Sequence, residues 1–519
     1  MKKISIHIEN IAEKGIKILA IIILVWLTFW QAIRTFRLPF DYIKEYVREY
    51  EDSPLKNLLF LVGCLLLFFF IQKPLLKGEP EKQKKRIFIL ALIDIVVVGI
   101  VLTAWVSISD ISPYWDQLEV FNSAMEFREG NYESMDYNYL QMYTQHFGLI
   151  FFEELLLGIW SDYHILQYVN VLFIMMIVFF FYRITDLLFD NPRISLYSLM
   201  GITAFIPMHI YVVYVYGDLG SIALGMLTIW ALLKWNQTNQ HRYLFPALFG
   251  ATIATLIRQN SLIYLLAILI ALAIYAWKSW NWKKLAVGIA LLVVPLLTVQ
   301  LVEGYYEIRS GREIGEGLPA MVWFSMGIME DENGVGFDTA YDESLWWHCG
   351  SDPKATAEAA KNDILYRWNE IKGDPGHILE LVRYKALEQW IEPTFTSLTM
   401  TGKFEEPANA IVEKLYFGAI PDYICRFMNY FLFVIYFGAL FHTVKNLLHR
   451  EGILSCILLI TFVGGFLFGI IWEAKGRYMM PYAMVLIPYM ASGLSQIQDL
   501  CIKLLDKVLK NNCRKITNF

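Results

Sequence analysis

The 519-residue chain is 56% hydrophobic and 18% charged, with a net charge of −5 and a mean hydropathy of +0.43. Soluble domains carry about 25% charged residues. Here the apolar residues gather into runs of roughly 16–23, long enough to cross a bilayer. This excludes a soluble globular protein and predicts an all-α polytopic membrane protein, and the modest net charge argues against a nucleic-acid partner. The six cysteines (Cys64, Cys349, Cys425, Cys456, Cys501 and Cys513) show no CxxC spacing, which argues against a disulfide framework or a zinc site.

The N-terminal MKKISIHIENIAEKGIK is basic, precedes an apolar run and is not followed by a small-residue cleavage site, so it reads as the approach to an uncleaved first span. Twelve spans are predicted, at 15–30, 57–72, 87–108, 164–182, 194–214, 219–233, 243–257, 259–277, 285–301, 421–443, 452–471 and 478–498. With both termini cytoplasmic, the inner segments hold about 23 Lys and Arg in roughly 85 residues, against about 19 in roughly 210 outside, as the positive-inside rule requires. The segment 147–160 is apolar but short and contains Glu153 and Glu154. It reads as an interfacial helix on the outer surface, with a broken or re-entrant segment as the alternative. The chain then divides into extra N-terminal spans and a basic cytoplasmic loop (1–86), a transmembrane core with its first outer loop at 109–163 (87–301), an outer cap (302–420), and C-terminal spans with a basic tail (421–519). In the cap, Asp352-Pro353 and Asp374-Pro375 place an N-cap acid before a proline at the first helical position, predicting helices over about 353–371 and 375–390.

Under this topology several polar groups fall on the outer side. Asp110 and Asp116 open the first outer loop, and Tyr143, Gln145 and His146 close it. Asp218 in YVYGDLGS and Arg258 in IRQNS occupy two outward turns, and Glu473, Lys475 and Arg477 in WEAKGRYMMP occupy the last. A carboxylate at this depth can act as a general base toward a hydroxyl, and arginines can stabilise a departing phosphate. The bland readings are an acid favoured by a helix dipole for Asp116, a helix cap for Asp218, and a membrane anchor for Arg477. Arg258 interrupts an apolar stretch, where charge is costly.

The order of these features resembles the GT-C superfamily of membrane glycosyltransferases, particularly bacterial relatives of protein O-mannosyltransferases and of the lipid A aminoarabinose transferase. The likeness runs from 87 to 498. It comprises Asp116 in PYWDQ, the following helix, the Gly130-Asn131-Tyr132 turn, the YTQHFG segment, Asp218, LIRQN, a large outer loop and the terminal GRYMMP. Protein O-mannosyltransferases have Asp-Glu where this chain has Asp116-Gln117, and His-Pro-Pro where it has His146-Phe147-Gly148. The first two spans read as an addition. The resemblance implies a GT-C-like bundle of about twelve spans with outer loops and short helices. It also implies a polyprenyl-phosphate-linked sugar donor, with Asp116 as base; Asp110, the other acid of the same loop, is the reserve candidate from its position. Arg258 and Arg477 would bind the donor phosphate, and Asp218, Tyr143, Gln145 and His146 the substrate.

The expected activity is transfer of a sugar from that donor to an extracytoplasmic glycan, lipid or protein, at the outer face of the cell membrane. No cofactor is required by this scheme, and the sequence presents no firm ligand set for a divalent cation. The rival classes are a lipid-linked sugar flippase or transporter, an envelope glycan polymerase or ligase using a diphosphate-linked donor, and a structural scaffold.

Overall fold

The computed structural model describes residues 2–37, 47–136, 138–331, 334–337, 340–402 and 407–516. It is almost wholly helical, with two short antiparallel hairpins, Arg34–Arg37 with Arg48–Glu51 and Glu330–Asp331 with Gly334–Val335. Nine helices among the described residues are long and apolar enough to cross a membrane, and a bent pair raises the number to ten. The chain is a multi-pass membrane protein.

Burial orders these helices. Asp218–Thr238 is central, with 83% of its apolar stretch buried, whereas Pro54–Leu75, in the N-terminal region, has 17% buried and turns Leu55, Leu58, Leu59, Leu66, Leu67 and Phe70 outward. In lipid such exposure is the expected state, because helices associate by close packing rather than by hiding apolar surface from water. Ile420–Lys445 and Ile487–Ile516 meet where a Cβ on Gly493 would stand 1.9 Å from the carbonyl oxygen of Gly438, so the two backbones touch and only glycine fits.

Three predicted spans differ in form. The stretch 194–214 is Pro192–Thr203 followed by Ile206–Val213, bent by 49°. Pro207 lacks the amide that would bond the Thr203 carbonyl four residues back, and Phe205 leaves helical geometry (ψ 79°), which places the break. Beside the break, Thr203 donates 2.6 Å to Asp94 and accepts from His209 Nε2 through its carbonyl at 2.9 Å, so the interrupted backbone has polar partners. The predicted 243–257 is the 14-residue helix Leu244–Ile257. The predicted 478–498 is split between Gly476–Met484, which contains Pro481, and the start of Ile487–Ile516.

The segment 147–160 forms the 11-residue helix Phe147–Leu157. At 1.5 Å per residue it reaches about half of a ~30 Å hydrocarbon core, too short to cross. The cap helices are Pro353–Ile371 and Pro375–Trp390. The Asp352 carboxylate accepts from the Lys354 amide, and that of Asp374 from the amides of Gly376 and His377, so the capping read from the sequence is made.

Candidate active site

The site is built where helices end. Pro80–Ser109 stops at Asp110, whose left-handed backbone (φ 47°) turns the chain out of the bundle. After the loop 110–115, Trp115 (φ 51°) immediately precedes the helix Asp116–Arg128, so Asp116 is the first residue of that helix. Buried Gln117 fixes this start by accepting from the Val215 amide at 3.0 Å. Val215 lies just past the short 3-10 turn Tyr211–Val213, before the central helix begins. Asn170 donates to the carbonyls of Val212 (3.1 Å) and Tyr214 (2.9 Å), and Gln167 donates to that of Val213 (3.2 Å), supplying the partners that buried backbone requires. Gly217 (φ +81°) then opens the central helix. A side chain there would be strained, and its Cβ would lie 2.6 Å from Ile257.

These ends enclose a cavity of about 850 Å³. Asp116, Tyr143, Gln145, His146, Arg258 and Arg477 all line it, from segments spread over the whole chain. The cations sit deep. Arg477 is 4% exposed, and its guanidinium carbon lies 5.4 Å from the Tyr214 ring centre, 5.2 Å from that of Tyr216 and 5.4 Å from that of Tyr478. It also donates to the Tyr214 hydroxyl, while its Nε has no hydrogen-bond partner within the protein. Arg258 lies over Tyr216 at 4.8 Å and donates to the Tyr216 carbonyl at 3.0 Å. Such cation–aromatic contacts hold a desolvated guanidinium without neutralising it.

His146 is buried, stacked against Tyr139 and within 2.9 Å of the Tyr216 hydroxyl. Burial, then the charges of Arg258 and Arg477, push its pKa down to about 3, so it acts as a neutral hydrogen-bonding group. Tyr143 donates to the Asp342 carboxylate and is held protonated by burial and by that charge. Glu473 accepts from Tyr478 at 2.7 Å, and burial raises its pKa.

The two remaining predicted residues lie outside the lining. Asp218 is behind it, with Oδ1 3.1 Å from Arg258 Nε. Asp110 is on the exterior, where its 62%-exposed side chain accepts from Tyr163 at 2.8 Å and pairs with His164 at 3.2 Å. The cavity adds Asp342 and Glu343 from the helix Tyr341–His348, with Glu119, Glu303 and Glu316. The acid–aromatic run YDESLWW was the available signal for the first two. Among the described residues no group of three or more His, Cys, Asp and Glu side chains forms a metal-ligand set.

The fold and cavity together define a multi-pass helical membrane protein with a charged, aromatic-walled cavity where its helices end. No family model matches the chain, and a search of curated proteins returned no match.

Proposed function

We propose that the protein is a GT-C-like glycosyltransferase that moves a sugar from a polyprenyl-phosphate donor to an acceptor outside the cell membrane, with both termini cytoplasmic. The observation that carries this reading is the shared cavity, in which Asp116, the first residue of its helix and one of seven lining carboxylates, opens onto the same space as two deeply seated guanidiniums, Arg258 and Arg477.

Asp116 takes the proton of the acceptor hydroxyl, whose oxygen attacks the anomeric carbon as the carbon–oxygen bond to the lipid phosphate breaks. The anomeric centre inverts. The departing phosphate gains charge beside Arg258 and Arg477, whose interaction strengthens as the bond breaks. Neutral His146, Tyr143 and Gln145 orient the sugar by hydrogen bonds. No step requires a metal, because the two arginines supply the positive charge.

The test uses the full chain in lipid nanodiscs with a panel of polyprenyl-phosphate sugars, following release of free polyprenyl phosphate. Release by the wild type, its loss in Asp116→Asn with donor binding retained, and inverted product would support the reading. Retention of anomeric configuration would overturn the single displacement. Absence of both release and donor binding would favour transport or a diphosphate-linked donor.

A further inference from the structure

We infer, resting on the glycosyltransferase reading, that the acceptor is a neutral glycan chain that enters from water across an acidic, aromatic mouth, and that polyanionic acceptors are turned away. The charge of the cavity is layered. Seven carboxylates line it against three cations; Arg477 and Arg258 are seated deep, with Arg258's side chain 10% exposed, and the one acid buried with them, Glu473, has its pKa raised by burial, which favours its neutral form. Glu119 and Glu343 are exposed, and Asp116 and Asp342 are half-buried beside them. Burial, and after it the charges of Asp342 and Asp116, raise the pKa of Glu343, so these three carboxylates are near enough to feel one another. A rim of one sign focuses field into the opening. A phosphate-rich chain therefore meets repulsion at that rim before it reaches the arginines, whereas the donor proposed above carries a single phosphate.

Two tryptophans at this rim supply the second half of the argument. Trp115 is 42% exposed and Trp347 is 49% exposed, both line the cavity, and they come from separate helix ends. Trp115 adopts φ 51°, a strained backbone for a bulky residue, next to Asp116. Exposed tryptophans also anchor helices at membrane interfaces. These two stand next to Asp116, Asp342 and Glu343, which anionic headgroups would repel. Flat apolar rings flanked by acceptor-only carboxylates match the two surfaces of a sugar, its CH face and its hydroxyl edge.

The test measures acceptor binding without donor, so its failure is separable from failure of the transfer reading, which polyprenyl-phosphate release reports. The full chain in zwitterionic nanodiscs is titrated with maltohexaose, cellohexaose, linear mannohexaose, hexalysine and a glycerol-phosphate oligomer, with binding followed by saturation-transfer NMR. At least one neutral hexasaccharide should bind. Trp115→Ala and Trp347→Ala should each weaken it by about tenfold, equivalent to ~1.4 kcal/mol. The glycerol-phosphate oligomer should bind only once Glu119→Gln and Glu343→Gln are combined. Binding of none of the neutral sugars would overturn the inference, as would binding of the polyanion to the wild type or tryptophan-dependent binding of hexalysine alone.

Discussion

Arg258 and Asp218 form an ion pair of 3.1 Å in which each side chain is only 10% exposed. Asp218 does not line the cavity, so its carboxylate balances the charge of Arg258 from behind and leaves the guanidinium's front toward the lumen. Removing one partner of a buried pair leaves an uncompensated charge, which is destabilising by about 3 kcal/mol, and here Arg477 adds a like charge nearby. Asp218→Asn should therefore lower the thermal midpoint in nanodiscs while tightening binding of polyprenyl phosphate, since the bound anion then supplies the missing charge. Arg258→Gln should weaken that binding. A variant Asp218→Asn with unchanged midpoint and unchanged phosphate affinity would show that the pair does not set the charge of the cavity.

The two acids of the first outer loop should separate in kinetics. Asp116 lines the cavity at a helix start, whereas Asp110 is engaged by Tyr163 and His164 on the exterior. Loss of a general base lowers turnover by about 10²–10⁴. Asp116→Asn should show that loss in polyprenyl-phosphate release with donor affinity retained, and Asp110→Asn should leave turnover close to wild type. The reverse result would move the base to Asp110.

His146 gives the fold an acid limit. Its pKa is about 3 in the folded protein against 6.5 unfolded, so between these values the unfolded chain binds the extra proton. Stability from this group is therefore fully present above about pH 6.5 and is lost as pH falls toward 3. His146→Gln keeps a polar partner for Tyr216 without an ionisable ring. Its thermal midpoint should fall less steeply than the wild type's between pH 6.5 and 4.5. Parallel curves would mean that His146 is not held neutral.

Hydropathy carried most of the fold, because a long apolar run in lipid has one backbone solution, the helix. The cap helices were legible because Asp352-Pro353 and Asp374-Pro375 are local signals. The break between Thr203 and Ile206 was not, because apolar residues continue through it and only Pro207 marks it. In the site, Asp116, His146, Arg258 and Arg477 could be placed from their position at span ends. The pairing of Tyr143 with Asp342 crosses 199 residues, which no local pattern encodes. Asp110 and Asp116 look alike in sequence. What separates them is tertiary: Asp110, in a left-handed turn, is 62% exposed against Tyr163 and His164, whereas Asp116 lines the cavity.

Lys385 holds the aromatic wall of the cavity. It is 1% exposed, and its Nζ donates to the carbonyls of Gly327 (2.5 Å) and Ile470 (2.9 Å), which lie at the ends of Ala320–Met326 and Ile453–Ile471. Those helices bring Trp323 and Trp472 into a stacked pair with ring centres 5.5 Å apart, and both rings line the cavity. Burial lowers the pKa of Lys385 to about 7, while Glu388 and Glu473 oppose that shift. The unfolded side chain titrates near 10.5, so between about pH 7 and 10.5 the unfolded state binds more protons and this group's contribution to stability rises with pH. Lys385→Met leaves two buried carbonyls without their donor, destabilising by about 2 kcal/mol. The variant should melt earlier than the wild type, lose the rise in midpoint between pH 7 and 9, and expose the Trp323–Trp472 pair to acrylamide quenching. An unchanged pH profile with unchanged quenching would show that the wall stands without Lys385.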